Sequence, residues 1–339
     1  MSSTGPATGA LRVGIVGAGS WGTTVASLAA VNTPTMLWAR RSATADTLNS
    51  THRNPEYLGD LPVHDAVEAT TSLERCLASA DVVVMAVPSH GFRDVLTDAA
   101  QFVRPGVPVV SLSKGLEAGT LSRMSEVVRS VLPGHPVAVL TGPNLAREIA
   151  AGQPAASVIA IEDKAIASEL QSLFTTPMFR VYTNPDVVGC EIAGVVKNVI
   201  AIAAGIARGM GFGENTLATL ITRGLAEISR LAMAMGARPL TLAGLAGMGD
   251  LIATCSSTQS RNMSVGMRLG RGESLEQITS SMSMVAEGVK SSPSVLELAT
   301  RHNVAMPITQ QVVSVCRDGL SASDALVNLM TRSSKSEFE

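Results

Sequence analysis

Short runs of β-branched and other apolar residues alternate with amphipathic stretches through the first half of this chain. The runs cover residues 11–16, 35–38, 81–87, 107–112, 137–140 and 157–161. Apolar strands separated by helical stretches are typical of βαβ units and of a mostly parallel sheet that is covered on both faces. The sequence therefore predicts an α/β fold whose first half is doubly wound.

The alternation stops after Asn184-Pro185-Asp186, where long segments rich in Ala, Leu, Met and Gly begin. These segments predict helices at residues 186–210, 214–236, 261–270, 286–302, 307–318 and 321–331. Pro185 suits the first turn of the first of these helices. We expect an α/β domain at residues 11–185 and an all-α domain at residues 186–332, with a disordered tail at 1–10 and a polar tail at 333–339.

The composition excludes several classes of function. The net charge of −2 and the lack of a dense basic run argue against a nucleic-acid partner. The apolar stretch 192–207 is short for a membrane span and contains Lys197 and Asn198, so we expect a buried helix and no membrane insertion. No histidine has the spacing of a metal site, and no nucleophile elbow is present.

The four cysteines indicate a reducing compartment. They are Cys76, Cys190, Cys255 and Cys316, which are widely scattered and form no C-x-x-C pair. Reduced structural thiols are the default for such a pattern. The first ten residues also lack the features of a signal peptide, so we expect a cytoplasmic protein.

A glycine-rich motif, Gly17-Ala18-Gly19-Ser20-Trp21-Gly22, follows the first predicted strand and precedes a helical pattern. In that context G-x-G-x-x-G lets the backbone approach a pyrophosphate, which then lies at the positive end of the helix. An incidental glycine turn is the alternative. The motif predicts a Rossmann domain that binds a dinucleotide.

The coenzyme is indicated by Arg40 and Arg41 at the end of the second predicted strand. An acidic residue normally binds the ribose 2′-hydroxyl at this place. Two guanidinium groups suit a 2′-phosphate instead, which predicts NADP(H) binding. A solvated arginine pair is the alternative, and the nearby Asp46 leaves NAD(H) open as the coenzyme.

Lys197 is the charged residue that most needs an explanation, because no other charge occurs between Glu191 and Arg208. A buried ammonium loses hydration, which costs free energy. Either another contact must offset that cost, or the group is retained because it has a function. A structural ion pair or an extended side chain that reaches solvent would compensate it. A positioned proton donor for hydride chemistry would use it.

Three further groups are candidates for a polar site, each with a plain structural alternative. Asp250 follows two glycines and could cap a helix. Ser260-Arg261-Asn262 begins a predicted helix, where it forms either a phosphate site or a surface cap. Lys114 follows an apolar strand at the sheet edge where ligands of α/β proteins bind, although a solvated loop lysine would look the same.

Taken together, these stretches resemble the NAD(P)-dependent sn-glycerol-3-phosphate dehydrogenases of the bacterial type. The resemblance runs from about residue 11 to residue 332 and includes further segments in the same order: Ser113-Lys114-Gly115-Leu116-Glu117, Thr141-Gly142-Pro143, Val195-Val196-Lys197-Asn198, Gly247-Met248-Gly249-Asp250, Val285-Ala286-Glu287-Gly288 and Met306-Pro307-Ile308.

The resemblance implies a set of site residues. Lys197 would be the catalytic proton donor and acceptor, assisted by Lys114 and Asp250. The triose phosphate site would be lined by Lys114, Gly142, Asn144, Lys197, Asp250, Ser260, Arg261 and Asn262. The coenzyme would contact Gly17, Gly19, Ser20, Trp21, Gly22, Arg40, Arg41, Tyr57, Lys114, Ala146, Arg261, Val285 and Glu287.

The resemblance also implies a cytoplasmic homodimer that reduces dihydroxyacetone phosphate to sn-glycerol 3-phosphate for phospholipid biosynthesis. The chain departs from the usual family pattern at Asn144, where the family has Ser. A 2-keto or 3-hydroxy acid dehydrogenase of the same architecture is the nearest alternative, and a non-catalytic NAD(P)H sensor is a second one.

Overall fold

A mostly parallel sheet forms the first half of the protein, of which the computed structural model describes residues 11–282, 286–334 and 336. Its strands are β1 (Val13–Val16), β2 (Thr35–Trp38), β3 (Val67–Thr70), β4 (Val82–Met85), β5 (Val109–Ser111), β6 (Val137–Thr141), β7 (Ala155–Ala160) and β8 (Phe179–Asn184). Their order in the sheet is β3-β2-β1-β4-β5-β6-β7-β8. Strands β1 to β6 are parallel, β7 is antiparallel to β6, and β8 is parallel to β7.

Two hydrophobic clusters cover the two faces of this sheet. In β4, Val82 and Val84 belong to one cluster, whereas Val83 and Met85 belong to the other. Successive side chains of a strand point to opposite faces, so a strand covered on both sides must be apolar throughout. The continuous apolar runs of the sequence have this cause, and the predicted doubly wound α/β half is confirmed.

Eight helices accompany the strands in the described part of the first half, from residue 11 onwards. They are α1 (Ser20–Ala30), α2 (Ser42–Thr51), α3 (Pro55–Leu58), α4 (Leu73–Leu77), α5 (Phe92–Ala100), α6 (Met124–Val131), α7 (Ala146–Ala150) and α8 (Lys164–Phe174), with a 3₁₀ turn at Ser89–Gly91 before α5.

The rest of the described chain is helical, as predicted. Its helices are α9 (Val187–Gly209), α10 (Glu214–Ala234), α11 (Pro239–Ala243), α12 (Asp250–Ser256), α13 (Arg261–Gly270), α14 (Leu275–Ser280), α15 (Glu287–Arg301), α16 (Pro307–Arg317) and α17 (Ala322–Met330), with a π-helical turn at Leu245–Gly249 before α12.

The start of α9 differs from the sequence prediction. Pro185 was expected in the first turn, but the helix begins at Val187. The Asp186 carboxylate accepts a hydrogen bond from the Gly189 amide at 2.8 Å, which is the geometry of an N-cap. Capping by Asp186 therefore sets the helix start two residues later than Pro185.

The described chain divides into two compact units between Glu191 and Ile192. This division lies within α9, six residues after the boundary that we predicted at 185/186. The predicted domain limits of 11–185 and 186–332 stay predictions. The tail predicted at residues 1–10 lies outside the described residues, as do residues 335 and 337–339 of the tail predicted at 333–339.

Helix α9 is long and apolar enough to cross a membrane by length and composition, but 94% of its most apolar window is buried within the protein. The four cysteines are also buried, as free thiols. Burial raises the pKa of Cys76 and Cys255 to about 12 and that of Cys316 to about 11. These thiols therefore stay protonated at neutral pH, as expected of structural cysteines.

Glycines let α9 and α13 approach until their backbones touch. A Cβ on Gly205 would overlap the Met263 carbonyl, and one on Gly266 would overlap the Ile202 carbonyl. The same contact recurs one turn later, between Gly209 and Met267 and between Gly270 and Ile206. Residue numbers rise together along both helices, so α9 and α13 run parallel.

We expect Gly266→Ala to destabilise the protein although alanine favours helix by about 1 kcal/mol over glycine. The added methyl group would meet backbone atoms of Ile202 rather than a flexible side chain. Overpacking of this kind typically costs about 1–3 kcal/mol and occasionally more. Urea unfolding monitored by circular dichroism measures the effect.

Gly213→Ala is the matched control, because Gly213 lies in the same unit at a negative φ of −85° with nothing within 4 Å of its Cβ position. Equal stability of the Gly266→Ala variant and the wild type would contradict the proposed backbone contact.

Candidate active site

The loop between β1 and α1 is built for a close backbone approach. Gly17 has a φ of +120°, and a Cβ there would lie 2.6 Å from the Ala86 carbonyl oxygen. Glycine is therefore required at this turn on conformational and steric grounds. A Cβ on Gly22 would likewise overlap the Gly17 carbonyl, which brings α1 tightly against the strand end.

Gly19 differs from these two because nothing lies within 4 Å of its Cβ position. It is the N-cap residue of α1, which has no side-chain cap and no acidic residue in its first turn. The positive end of this helix thus faces open space beside a residue that has no side chain. These features fit the pyrophosphate of a dinucleotide.

Four of the predicted coenzyme residues, Ser20, Trp21, Tyr57 and Ala146, lie around the start of α1. The Ser20 hydroxyl donates to the Tyr57 carbonyl at 3.3 Å, and the Thr24 hydroxyl, one turn later, donates to the Ala146 carbonyl at 3.3 Å. Tyr57 and Ala146, which are distant in sequence, are thereby brought to the glycine-rich helix. Trp21 packs against Phe179 with ring centroids 6.2 Å apart.

Asn54 is a residue of this region that the sequence did not single out. It is 2% exposed, and its amide donates to the Ala18 carbonyl at 2.9 Å and to the Thr23 hydroxyl at 2.8 Å. It therefore fastens the segment before α3 to the glycine loop. No local pattern in the sequence marks such a contact between residues 31 to 36 positions apart.

The two arginines after β2 have different surroundings. Both are exposed, and Arg41 forms an ion pair with Glu56 of α3. Arg40 forms no hydrogen bond or ion pair through its side chain with another described residue. The Glu56 carboxylate thus competes for one of the two guanidinium groups that we assigned to a 2′-phosphate.

Lys114 and Gly142 lie together at the carboxyl ends of β5 and β6. The Lys114 ammonium donates to the Gly142 carbonyl at 3.2 Å. The Asn144 amide group donates to the Ser157 hydroxyl at 3.1 Å, which in turn donates to the Thr141 carbonyl at 2.7 Å. The buried Asn144 Oδ1 has no donor among the described residues, so this amide oxygen can accept a hydrogen bond from a ligand.

A buried cluster surrounds Lys197 in the helical unit. Its ammonium donates to the Asp250 carboxylate at 2.5 Å and to the Thr254 hydroxyl at 2.6 Å. The Lys197 side chain is 8% exposed and that of Asp250 is 2% exposed. Asp250 is the first residue of α12, after the π-helical turn, and therefore meets a lysine 53 positions earlier.

Thr254 was missed by the sequence analysis although a signal existed. It lies four residues after Asp250 and hence on the same face of α12. Its hydroxyl donates to the Asp250 backbone carbonyl at 2.7 Å, which leaves its lone pairs for the Lys197 ammonium. Two of the three N–H donors of the ammonium are thereby directed, so its orientation is fixed.

The start of α13 lies beside Asn198, the residue after Lys197. The Asn262 amide group donates to Asn198 Oδ1 at 3.0 Å, and Asn262 Oδ1 accepts from the Gly288 amide at 2.9 Å. The side chain of Asn262 thus joins α9, α13 and α15. The Asn262 backbone amide lies in the first turn of α13, where amides have no acceptor within the helix.

Ser260 and Arg261 complete the predicted phosphate site. Ser260 caps α13 by accepting a hydrogen bond from the Met263 amide at 3.3 Å, and Arg261 is exposed. Glu287 is the first residue of α15, next to the Gly288 that Asn262 binds. Val285, the remaining predicted coenzyme residue, lies outside the described residues.

Comparison with known proteins identifies the family. The model of the NAD-dependent glycerol-3-phosphate dehydrogenase N-terminus matches residues 12–167, and that of the C-terminus matches residues 186–327. A glycerol-3-phosphate dehydrogenase [NAD(P)+] of Sphingopyxis alaskensis is 54% identical over 323 residues, which cover 95% of this chain and 97% of that protein. One of Mycobacterium avium is 51% identical over 320 residues, or 94% of each chain.

A solved structure agrees with this result. The crystal structure of glycerol-3-phosphate dehydrogenase from Coxiella burnetii is 35% identical and superposes with a TM-score of 0.91 over 95% of this chain and 99% of that one. The resemblance stated from the sequence is confirmed. This chain belongs to the NAD-dependent glycerol-3-phosphate dehydrogenase family.

Proposed function

We propose that this protein catalyses the reversible NAD(P)-dependent reduction of dihydroxyacetone phosphate to sn-glycerol 3-phosphate. The observation that carries the proposal is the buried cluster of Lys197, Asp250 and Thr254. A cation that is held in one orientation and out of bulk solvent suits proton transfer to an oxygen. The family and the names of its relatives supply the substrate.

The coenzyme would be held by the glycine loop and the start of α1. Gly17, Gly19 and Gly22 allow the close approach, and Ser20, Trp21, Tyr57 and Ala146 surround it. When bound, the reduced nicotinamide supplies the hydride that goes to C2 of the ketone. Arg40 and Arg41 would bind a 2′-phosphate, and Val285 and Glu287 are proposed as further contacts.

Lys197 would donate a proton to the oxygen on C2 as negative charge develops there, and would accept the hydroxyl proton in the reverse reaction. Asp250 and Thr254 hold the ammonium in place, and Asp250 would also bind a substrate hydroxyl. Lys114 would bring a second positive charge to the substrate, with Gly142 and Asn144 as neighbouring contacts.

The substrate phosphate would bind at the start of α13. Ser260 and Arg261 lie there, and Asn262 offers a backbone amide at the positive end of the helix. Asn262 bonds Asn198, which is the residue after Lys197. The proposed phosphate site therefore lies beside the turn of α9 that carries Lys197. Binding energy from the phosphate could thus align the ketone for reaction.

We further propose that the protein acts in the cytoplasm as a homodimer and supplies sn-glycerol 3-phosphate to phospholipid biosynthesis. The family resemblance supports these three statements. The buried and protonated cysteines suit a reducing compartment.

Lys197→Ala should lower kcat by about 10²- to 10⁴-fold, the usual contribution of acid–base help, and leave NADPH binding nearly unchanged. Stability should also fall, because Asp250 would remain buried without its cation, a loss that typically costs about 3–5 kcal/mol. Steady-state kinetics and NADPH fluorescence titration measure the two effects. Lys164→Ala, at an exposed lysine, is the control.

Added methylamine should restore part of the lost turnover of Lys197→Ala, since a small amine can replace the missing group. Turnover near the wild-type value without any amine would contradict the proton-transfer role of Lys197.

Arg261→Ala should raise KM for dihydroxyacetone phosphate far more than it changes the residual activity on dihydroxyacetone, which lacks the phosphate. A charge-assisted hydrogen bond typically contributes about 1.5–3 kcal/mol, so we expect a loss of roughly 10- to 150-fold in kcat/KM. Arg271→Ala, just past the other end of α13, is the control. Equal losses on both substrates would exclude a phosphate contact.

Arg40→Ala/Arg41→Ala should shift the ratio of kcat/KM for NADPH and NADH towards NADH. Glu56→Gln should shift the same ratio towards NADPH, because it removes the carboxylate that pairs with Arg41. Both ratios come from steady-state assays with each coenzyme. A ratio that stays constant across the wild type and both variants would refute the assignment of these arginines to the 2′-phosphate.

A further inference from the structure

We propose that Glu117 and Arg93 are positioning residues that set the place of Lys114. Lys114 belongs to the loop that leaves β5, and Glu117 lies three residues after it in the same loop. Arg93 is on the neighbouring helix α5. This inference rests on the proposed function, in which Lys114 contacts the substrate.

The two side chains form a bidentate pair. Arg93 Nε donates to one oxygen of the Glu117 carboxylate at 2.6 Å, and Arg93 Nη2 donates to the other at 2.9 Å. A planar guanidinium that meets a carboxylate in this way fixes both distance and angle. The loop is therefore held in one orientation relative to α5.

Each partner is itself held by a further contact. The Thr120 hydroxyl donates to Glu117 Oε2 at 2.6 Å, and Arg93 Nη1 donates to the Ser130 hydroxyl of α6 at 2.9 Å. The Glu117 side chain is 17% exposed, and its bond to Arg93 lowers the pKa of the carboxyl group below its usual value. The carboxylate is thus charged and hydrogen-bonded at neutral pH.

The backbone around Glu117 closes into a turn. The Glu117 amide donates to the Ser122 carbonyl at 2.9 Å, and the Leu121 amide donates to the Glu117 carbonyl at 2.9 Å. Leu121, which is buried, has a φ of +60° in the region that side chains disfavour. A strained residue of this kind persists only where the surrounding contacts determine the conformation.

Other contacts hold the two residues next to Lys114 in the chain. The Ser113 hydroxyl donates to the Val87 carbonyl, and Gly115 lies so close to Ser89 that a Cβ would overlap the Ser89 hydroxyl. The backbone is therefore fixed on both sides of Lys114. The Arg93–Glu117 ion pair adds a charged contact three residues further along the loop.

The consequence for catalysis comes from the sensitivity of reaction rates to placement. A displacement of about 1 Å in a group that contacts the substrate can cost about 10²-fold in rate. Loss of the bidentate pair should therefore reduce the contribution of Lys114 although neither Arg93 nor Glu117 touches the substrate. The proposed coenzyme residues at the start of α1 should keep their affinity.

The experiment compares Glu117→Gln and Arg93→Lys with Lys114→Ala and with the double variant Lys114→Ala/Glu117→Gln. Glutamine keeps the size of the Glu117 side chain and removes its charge. Lysine keeps the charge of Arg93 and removes the planar guanidinium that makes the bidentate contact. We expect each single change at Glu117 or Arg93 to lower kcat/KM for dihydroxyacetone phosphate by about 10-fold or more, within the range given above for misplacement. The dissociation constant of NADPH should change much less than this, because most of the proposed coenzyme contacts lie at the start of α1.

Asp81→Asn is the matched control. Asp81 also forms an ion pair with an arginine of the same unit, Arg104, through one carboxylate oxygen at 2.5 Å. It precedes β4 and so lies at the opposite ends of the parallel strands from Lys114. It should lower the melting temperature about as much as Glu117→Gln does, without the loss in kcat/KM.

The double variant separates a positioning role from a general structural one. If Glu117 acts through Lys114, Lys114→Ala/Glu117→Gln should be no slower than Lys114→Ala alone. Losses that multiply, or kinetics of Glu117→Gln equal to those of Asp81→Asn, would overturn the inference. Wild-type kcat/KM in Lys114→Ala would overturn it too, together with the proposed role of Lys114, whereas the dehydrogenase assignment is judged separately by Lys197→Ala.

Discussion

The ion pair between Lys197 and Asp250 is the interaction on which the proposed chemistry depends. Both groups are nearly excluded from solvent, and such a pair gives little net stability because desolvation offsets the attraction. Removing either partner, however, leaves an uncompensated buried charge. The pair therefore persists because each member requires the other. Thr254 adds a neutral hydrogen bond that directs the ammonium without adding charge.

The rigidity of this arrangement comes from helix packing in the helical unit. Glycines at two successive turns of α9 and α13 remove the side chains that would normally separate two helices, so backbone meets backbone. This contact determines the turn of α9 next to which α13 begins. Asn262 then ties both helices to α15 through one amide group. The proposed phosphate site and the proposed proton donor are thus parts of one packed unit.

Sequence patterns predicted the interior of the fold well and its edges less well. Strands β1, β4 and β5 are buried on both faces, so their continuous apolar runs were visible. Strands β3 and β8 lie at the two edges of the sheet, and both were missed. In β8, exposed residues alternate with buried ones, and Glu68 interrupts the four residues of β3. An edge strand has less to bury, so its signal is weaker.

The candidate site divides in the same way. Lys197 and Asp250 were identifiable because a charge in an apolar setting is conspicuous. The partners that complete the site, among them Asn54, Asn198 and Ser157, are ordinary polar residues whose roles arise only when distant segments meet. The Arg41–Glu56 pair is of this kind as well, because α3 brings the carboxylate to an arginine fifteen positions earlier.

The reversal of direction at β7 has a consequence for the neighbourhood of Lys114. A further strand parallel to β6 would begin where the amino ends of the parallel strands lie. A crossover connection would be needed to reach that point. Because β7 is antiparallel to β6, its first residues instead lie next to the end of β6, where Val158 pairs with Thr141. Ser157 therefore reaches Asn144 directly. Because β7 runs in the opposite direction, one of its early residues lies beside the carboxyl ends of the parallel strands.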